Sequence, residues 1–222
     1  CEHVVPGRMD ADYAEWVLAL LARYGMTCTA VAGHVDLTEE DQLEDFLKKI
    51  EFAGRIGANY INTNTGPRSR IQVFQENLKR VVAQAENWNV TVCLESHGDI
   101  VRTARESAAW LSQLRHPLIR MNYDTGNTYF YEKGQIDVAE DLPWGEDVIA
   151  YMHLKDVRIR GNTVRYTPLG DGDLNFSGIF QKLAETGRRI PASLEIPVFV
   201  AGTLHEIGPQ NPPLSKEEIA QA

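Results

Sequence analysis

The stretch Thr91-Val92-Cys93-Leu94-Glu95-Ser96-His97-Gly98 decides the fold. Its β-branched and apolar residues suit a buried strand, and Gly98 frees the backbone to turn directly afterwards. Side chains alternate along a strand, so Thr91, Cys93, Glu95 and, if the strand runs that far, His97 share one face. A carboxylate and an imidazole therefore stand together at a strand's C-terminal end.

Upstream, residues 1–5 read as the tail of a strand. Asp10 or Asp12 caps a helix that carries Trp16, Val17, Leu20, Leu21 and Tyr24 on one face and stops at Gly25. Residues 27–31 are β-rich. Thr38-Glu39-Glu40-Asp41 has the pattern of a capping box for a helix running to Ile56. Tyr60-Ile61-Asn62-Thr63-Asn64 forms the next strand, and a helix over residues 69–88 turns Phe74, Leu78, Val81, Val82 and Ala85 inward.

Downstream, Asp99 is expected to cap a helix bearing Ala104, Ala108, Leu111 and Leu114. A strand over 118–124 leads into a loop over 125–131. A short helix near 145–150 precedes a strand over 151–156. Gly161-Asn162 joins 157–160 to 163–166 as a hairpin. A helix over 176–186 closes at Gly187, a strand spans 193–196, and Ser215-Lys216-Glu217-Glu218 opens a terminal helix.

Such β-α alternation implies a parallel sheet covered by helices. Counting the opening strand gives seven strands. A (β/α)8 TIM barrel takes about 250 residues and places chemistry at the strands' C-terminal ends. The competing doubly wound sheet binds nucleotides through a Gly-rich first turn, and no such turn follows an early strand here.

At 222 residues the chain suits a single domain. A net charge of −9 argues against nucleic acid as partner. No apolar run approaches the roughly 18 residues of a membrane span. Cys1, Cys28 and Cys93 lack metal-type spacing and read as reduced thiols of a cytoplasmic protein.

Four strand ends carry candidate ligands: Glu95, Asp124, His153 and Glu195. Three carboxylates and one imidazole make a hard, oxygen-rich set suited to Mn2+, Mg2+ or Co2+ more than to a thiolate-seeking metal. Alone, each would more often be a cap, a surface ion pair or a core histidine; together they point to one cation.

With these residues in view, the combination of Leu94-Glu95-Ser96-His97-Gly98, Asn122-Tyr123-Asp124-Thr125-Gly126-Asn127, His153-Leu154-Lys155-Asp156, Leu169-Gly170-Asp171-Gly172-Asp173-Leu174-Asn175-Phe176 and Leu194-Glu195 resembles the xylose isomerase-like TIM-barrel family of sugar isomerases and epimerases. The resemblance covers essentially the whole chain. It implies one divalent metal on Glu95, Asp124, His153 and Glu195, with Mn2+ first and Zn2+ among the alternatives. It also implies that Glu95 and Glu195 form the acid/base pair.

Two departures matter. The related endonuclease branch carries extra histidines, but Asn127 stands where one is expected and Val164-Arg165-Tyr166 where an Asp-x-His would be. Aligned with the family, the chain begins inside the second barrel strand, so the first strand and helix are expected to lie outside an N-terminally truncated domain.

Around the metal, His97, Lys155, Arg158 and Asn62 are candidate substrate-binding residues; a supporting hydrogen bond for His97 and an ion pair with Asp156 or Glu195 for Lys155 are the plainer alternatives. Tyr129, Phe130 and Trp144 are candidate pocket walls. The leading expectation is a metal-dependent carbohydrate isomerase or epimerase acting on a sugar or cyclitol through an enediolate. A lyase using the same enolate and a non-catalytic sugar-binding subunit stay open, as do the substrate and any homo-oligomer.

Overall fold

The computed structural model describes residues 8–197, 200–205 and 207–209. The expected opening strand over 1–5 and the terminal helix from Ser215 lie outside these residues. The chain divides into two compact units, one of Cys1–Glu95, Asp99–Val101 and Trp110–Asn122, the other of Ser96–Gly98, Arg102–Ala109 and Tyr123–Ala222.

In the first unit, α1 (Ala11–Arg23), β1 (Ala30–Ala32), α2 (Glu40–Arg55), β2 (Tyr60–Thr63), α3 (Ile71–Trp88) and β3 (Thr91–Glu95) alternate as the sequence predicts. Asp10 caps α1 by accepting the Tyr13 N–H at 2.8 Å. The predicted apolar face of α1 is largely open, however, with Trp16 and Tyr24 56% and 64% exposed. α2 buries Leu43, Phe46, Ile50 and Phe52, each contributing about 1.5–3 kcal/mol of hydrophobic stabilisation.

The capping box expected at Thr38 does not form. Asp36 Oδ1 takes both the Thr38 N–H and the Thr38 hydroxyl, and Glu39, the residue before α2, gives it no side-chain cap. β1, β2, β3 and the first residues of β4 (Ile119–Asp124) run parallel, with Ala32 opposite Asn62, Asn62 opposite Cys93, and Glu95 opposite Asn122. Val92, Cys93, Leu94 and Glu95 are all buried, as a strand covered on both faces requires.

In the second unit, Thr125–Tyr131 is a helix, α5, rather than the expected loop. Asp124 Oδ1 accepts the Asn127 N–H at 2.7 Å and supplies the cap that Gly126 and Asn127 obscure in the sequence. The short helix expected near 145–150 sits earlier, as α6 (Val138–Asp141) and a 3-10 turn over Leu142–Gly145. α4 spans Ala104–Leu114. Its first N–H groups bind Asp141, at 2.7 Å from Ala104 and 3.2 Å from Arg105, so the cap is not Asp99.

β5 (Ile149–Leu154) passes into β6 (Asp156–Arg160) with Lys155 between them. β6 pairs antiparallel with β7 (Thr163–Thr167), so the Gly161-Asn162 hairpin is observed. After α7 (Phe176–Thr186), β8 (Ala192–Leu194) lies parallel to β5 with Ser193 opposite His153. β9 (Val200–Thr203) joins β7, and β10 (Ile207–Pro209) joins β9. Among the described residues β1-β2-β3-β4 thus run side by side, β5 pairs with β8, and β10-β9-β7-β6 form a four-stranded antiparallel sheet. No helix of the described residues is long and apolar enough to cross a membrane.

Candidate metal centre

In the second unit three predicted ligands stand at strand ends. Asp124 is the last residue of β4, His153 the fifth of six in β5, and Glu195 directly follows β8. The Glu195 N–H donates to the Leu154 carbonyl at 3.1 Å, which fixes the glutamate beside the end of β5. His153 Nδ1 then lies 3.0 Å from Glu195 Oε2 and 3.6 Å from Asp124 Oδ2.

Lys155 enters the same cluster. Its Nζ is 2.8 Å from Asp124 Oδ2 and 3.1 Å from Glu195 Oε2, and it donates to Asn127 Oδ1 at 3.2 Å. The side chain is 5% exposed, so these are interactions of a desolvated ammonium rather than of a surface lysine. Of the two ion pairs weighed for Lys155, the one with Glu195 is present; Asp156 instead turns its carboxylate to the N–H groups of Gly170 and Gly172 at 2.9 Å each.

The end of β3 supplies the fourth predicted ligand. Glu95 is 3% exposed, and its Oε2 accepts from Asn122 Nδ2 at 2.9 Å and meets His34 Nε2 at 2.8 Å. In the second unit one atom each from Asp124, His153 and Glu195 lie within 4.8 Å of one another. A divalent ion bonded to oxygens and imidazole at about 2.0–2.2 Å fits a group of that spread, and two carboxylates with one neutral imidazole suit it chemically.

The remaining candidates divide. His97 is beyond the end of β3 and half-buried, with its ring on Tyr131, whose hydroxyl is 3.2 Å from His97 Nδ1. Asn62 is buried in the middle of β2. Arg158 is exposed on β6 and donates to the Asp171 carbonyl, while its neighbour Arg160 pairs with Asp173 at 2.7 Å. Phe130 is buried, whereas Trp144 is exposed beneath the Arg105 guanidinium, 4.1 Å from the ring centroid.

Two contributors went unread in the sequence. His34 follows β1 after a single glycine, the strand-end position that drew attention to the other four, and Asn122 holds Glu95 from the neighbouring strand. Ser96 is a third supporting group: its hydroxyl accepts the Asp124 N–H at 2.9 Å and so fixes the backbone of one ligand.

Residues 5–220 match the xylose isomerase-like TIM barrel family. The chain belongs to that family. The endpoints of the match take in every candidate ligand. No curated protein matches the chain in sequence. Among solved structures, a xylose isomerase domain protein from Planctomyces limnophilus superposes with a TM-score of 0.73 at 19% identity, covering 86% of this chain and 78% of that one. D-psicose 3-epimerase from Clostridium cellulolyticum H10, solved with D-tagatose, gives 0.71 at 15%, with 96% and 80% covered. A xylose isomerase-like TIM barrel protein from Mycobacterium smegmatis in complex with magnesium gives 0.70 at 16%, with 85% and 72% covered. At these identities the likeness is one of fold, and it agrees with the (β/α)8 architecture expected from β-α alternation.

Proposed function

We propose that this protein is a divalent-metal-dependent carbohydrate isomerase or epimerase, with Glu95, Asp124, His153 and Glu195 as metal ligands. The observation that carries the reading is the approach of Asp124, His153 and Glu195 to within 4.8 Å of one another in the second unit. The ligand set favours Mn2+ or Mg2+, with Co2+ and Zn2+ as alternatives. When bound, such an ion polarises a carbonyl and its neighbouring hydroxyl, which acidifies the intervening C–H.

The protein's own groups do the rest. Glu195 removes a proton from the substrate carbon, leaving an enediolate, and Glu95 delivers one to the opposite face; the reverse reaction exchanges their roles. His34 and Asn122 hold the Glu95 carboxylate in place, since both meet Oε2. Lys155, His97, Asn62 and Arg158 are the groups proposed to bind substrate oxygens. The family and the fold-level likeness to a structure of D-psicose 3-epimerase with D-tagatose support a keto-sugar as the substrate class.

The test is solvent exchange. Mn2+-loaded protein incubated with keto-sugars, cyclitols and 3-oxo-glycosides in D2O is expected to place deuterium on one substrate carbon, read by NMR. Glu195→Gln is expected to abolish that exchange. Full exchange by Glu195→Gln, or none by wild type with any of the four metals, defeats the proposal.

A further inference from the structure

We infer that Lys155 is a built-in competitor of the metal: its ammonium holds the two carboxylate oxygens that a bound ion must take, and metal binding displaces it. The inference rests on the metal reading above. It arises from the motif Asp124-Thr125-Gly126-Asn127, all four residues of which are fitted to Lys155.

Asp124 Oδ2 is 2.8 Å from Nζ. The Thr125 hydroxyl accepts the Lys155 N–H at 2.9 Å and donates to the Lys155 carbonyl at 2.7 Å, locking the backbone. Gly126 makes room for the stem, because a Cβ there would come within 2.7 Å of Lys155 Cγ. Asn127 Oδ1 accepts from Nζ at 3.2 Å. From the other side, Glu195 Oε2 lies 3.1 Å from Nζ, and the Tyr166 ring centroid 5.7 Å away. A side chain so enclosed has its charged end directed by packing, not by chance.

The atoms involved make the competition specific. Asp124 Oδ2 and Glu195 Oε2 are the oxygens that face His153 Nδ1, at 3.6 and 3.0 Å. They are therefore the oxygens placed to share an ion with that nitrogen. An ammonium at hydrogen-bond distance and a divalent cation at coordination distance cannot both use the same lone pairs, and their charges repel. Binding of the ion pushes Nζ off both carboxylates toward Asn127, where a freed cationic donor lies beside the ligands, placed to meet a negatively charged substrate oxygen.

The experiment is calorimetric titration of chelator-treated protein with Mn2+. Lys155→Met keeps the stem and removes the charge, and is expected to bind Mn2+ at least about tenfold more tightly than wild type, where tenfold corresponds to about 1.4 kcal/mol. Lys155→Gln, which keeps a donor without the charge, is expected to bind more tightly as well and serves if the methionine variant does not fold. Independently, a crystal structure of wild type grown with Mn2+ is expected to show Nζ more than about 3.5 Å from both oxygens, beyond hydrogen-bond reach. Unchanged or weaker binding in the variants, or Nζ still bonded to both carboxylates in the metal-loaded crystal, overturns this inference alone. A wild type that takes up no Mn2+ overturns the metal reading and this inference with it.

Discussion

The ring of Tyr131 lies against the backbone of Gly98 so closely that a Cβ at position 98 would come 2.3 Å from Tyr131 Cδ1. Gly98 also holds φ at +78°, a conformation that other residues adopt only with strain. Gly98→Ala is therefore expected to destabilise the protein by about 2–4 kcal/mol in urea unfolding, from strain and overpacking together. The double variant Gly98→Ala/Tyr131→Ala separates the two causes. It should lack the steric part, so the substitutions should be non-additive; simple additivity would show that the ring is not what excludes a side chain.

Asp124 has two tasks on two oxygens: Oδ1 caps α5 through the Asn127 N–H, and Oδ2 faces the cluster. Asparagine caps a helix about as well as aspartate but is a poorer ligand for a hard cation. Asp124→Asn is expected to lose about tenfold or more in Mn2+ affinity; in chelator-treated protein it keeps the α5 cap but gives up the ion pair with buried Lys155, so it destabilises the fold less than Asp124→Ala does. Asp124→Ala should lose the cap as well. Calorimetry and denaturant titration on the same samples give the answer, and equal metal affinity in wild type and Asp124→Asn would remove Asp124 from the ligand set.

Asp141 is 7% exposed and accepts from the Ala104 and Arg105 N–H groups and, at 3.0 Å, from the Tyr123 hydroxyl. Its removal uncaps α4 and leaves the buried Tyr123 phenol only the Val138 carbonyl, 3.4 Å away, as acceptor. Asp141→Ala is expected to cost about 2–4 kcal/mol, the sum of a lost cap and a weakened buried hydrogen bond. Tyr123→Phe in the Asp141→Ala background should recover part of that loss in thermal unfolding.

The pH dependence of stability has a definite sign at Tyr166. Burial pushes its phenol above the ordinary 10.0, with the Lys155 ammonium pulling the other way. The folded chain therefore keeps a proton that the unfolded chain releases. Its contribution is fully present below about pH 10 and falls as pH rises toward the folded value, by up to about 1.4 kcal/mol per pH unit. Tyr166→Phe should flatten the fall of stability between pH 10 and 11, measured by urea titration; an unchanged slope would mean the phenol ionises as freely in the folded chain.

Periodicity and turn chemistry made much of this molecule legible. β3 ends at Glu95 as read, the Gly161-Asn162 hairpin forms, and α7 runs from its Asn175 cap to Gly187. What stayed hidden was settled by partners distant in sequence or by competition between near neighbours. No local pattern could announce that Asp141 caps α4, because the two are brought together only by folding. Thr38 failed as a cap because Asp36, two residues before it, claims its hydroxyl first. The four ligand candidates were visible as strand-end residues, and Asp124, His153 and Glu195 of the second unit lie together; the clasp of Asp124 and Glu195 by Lys155 was only half foreseen, since an ion pair with Glu195 was weighed and one with Asp124 was not.

The short segment bearing Glu195 is tethered on either flank, by β8 to β5 before it and by β9 to β7 after it. The hairpin tip at Gly161-Asn162 belongs to the second mooring, because the Asn162 carbonyl accepts the Leu204 N–H at 3.2 Å just beyond β9. A lengthened or reshaped tip therefore loosens the strand that follows the carboxylate and leaves the β8 flank untouched.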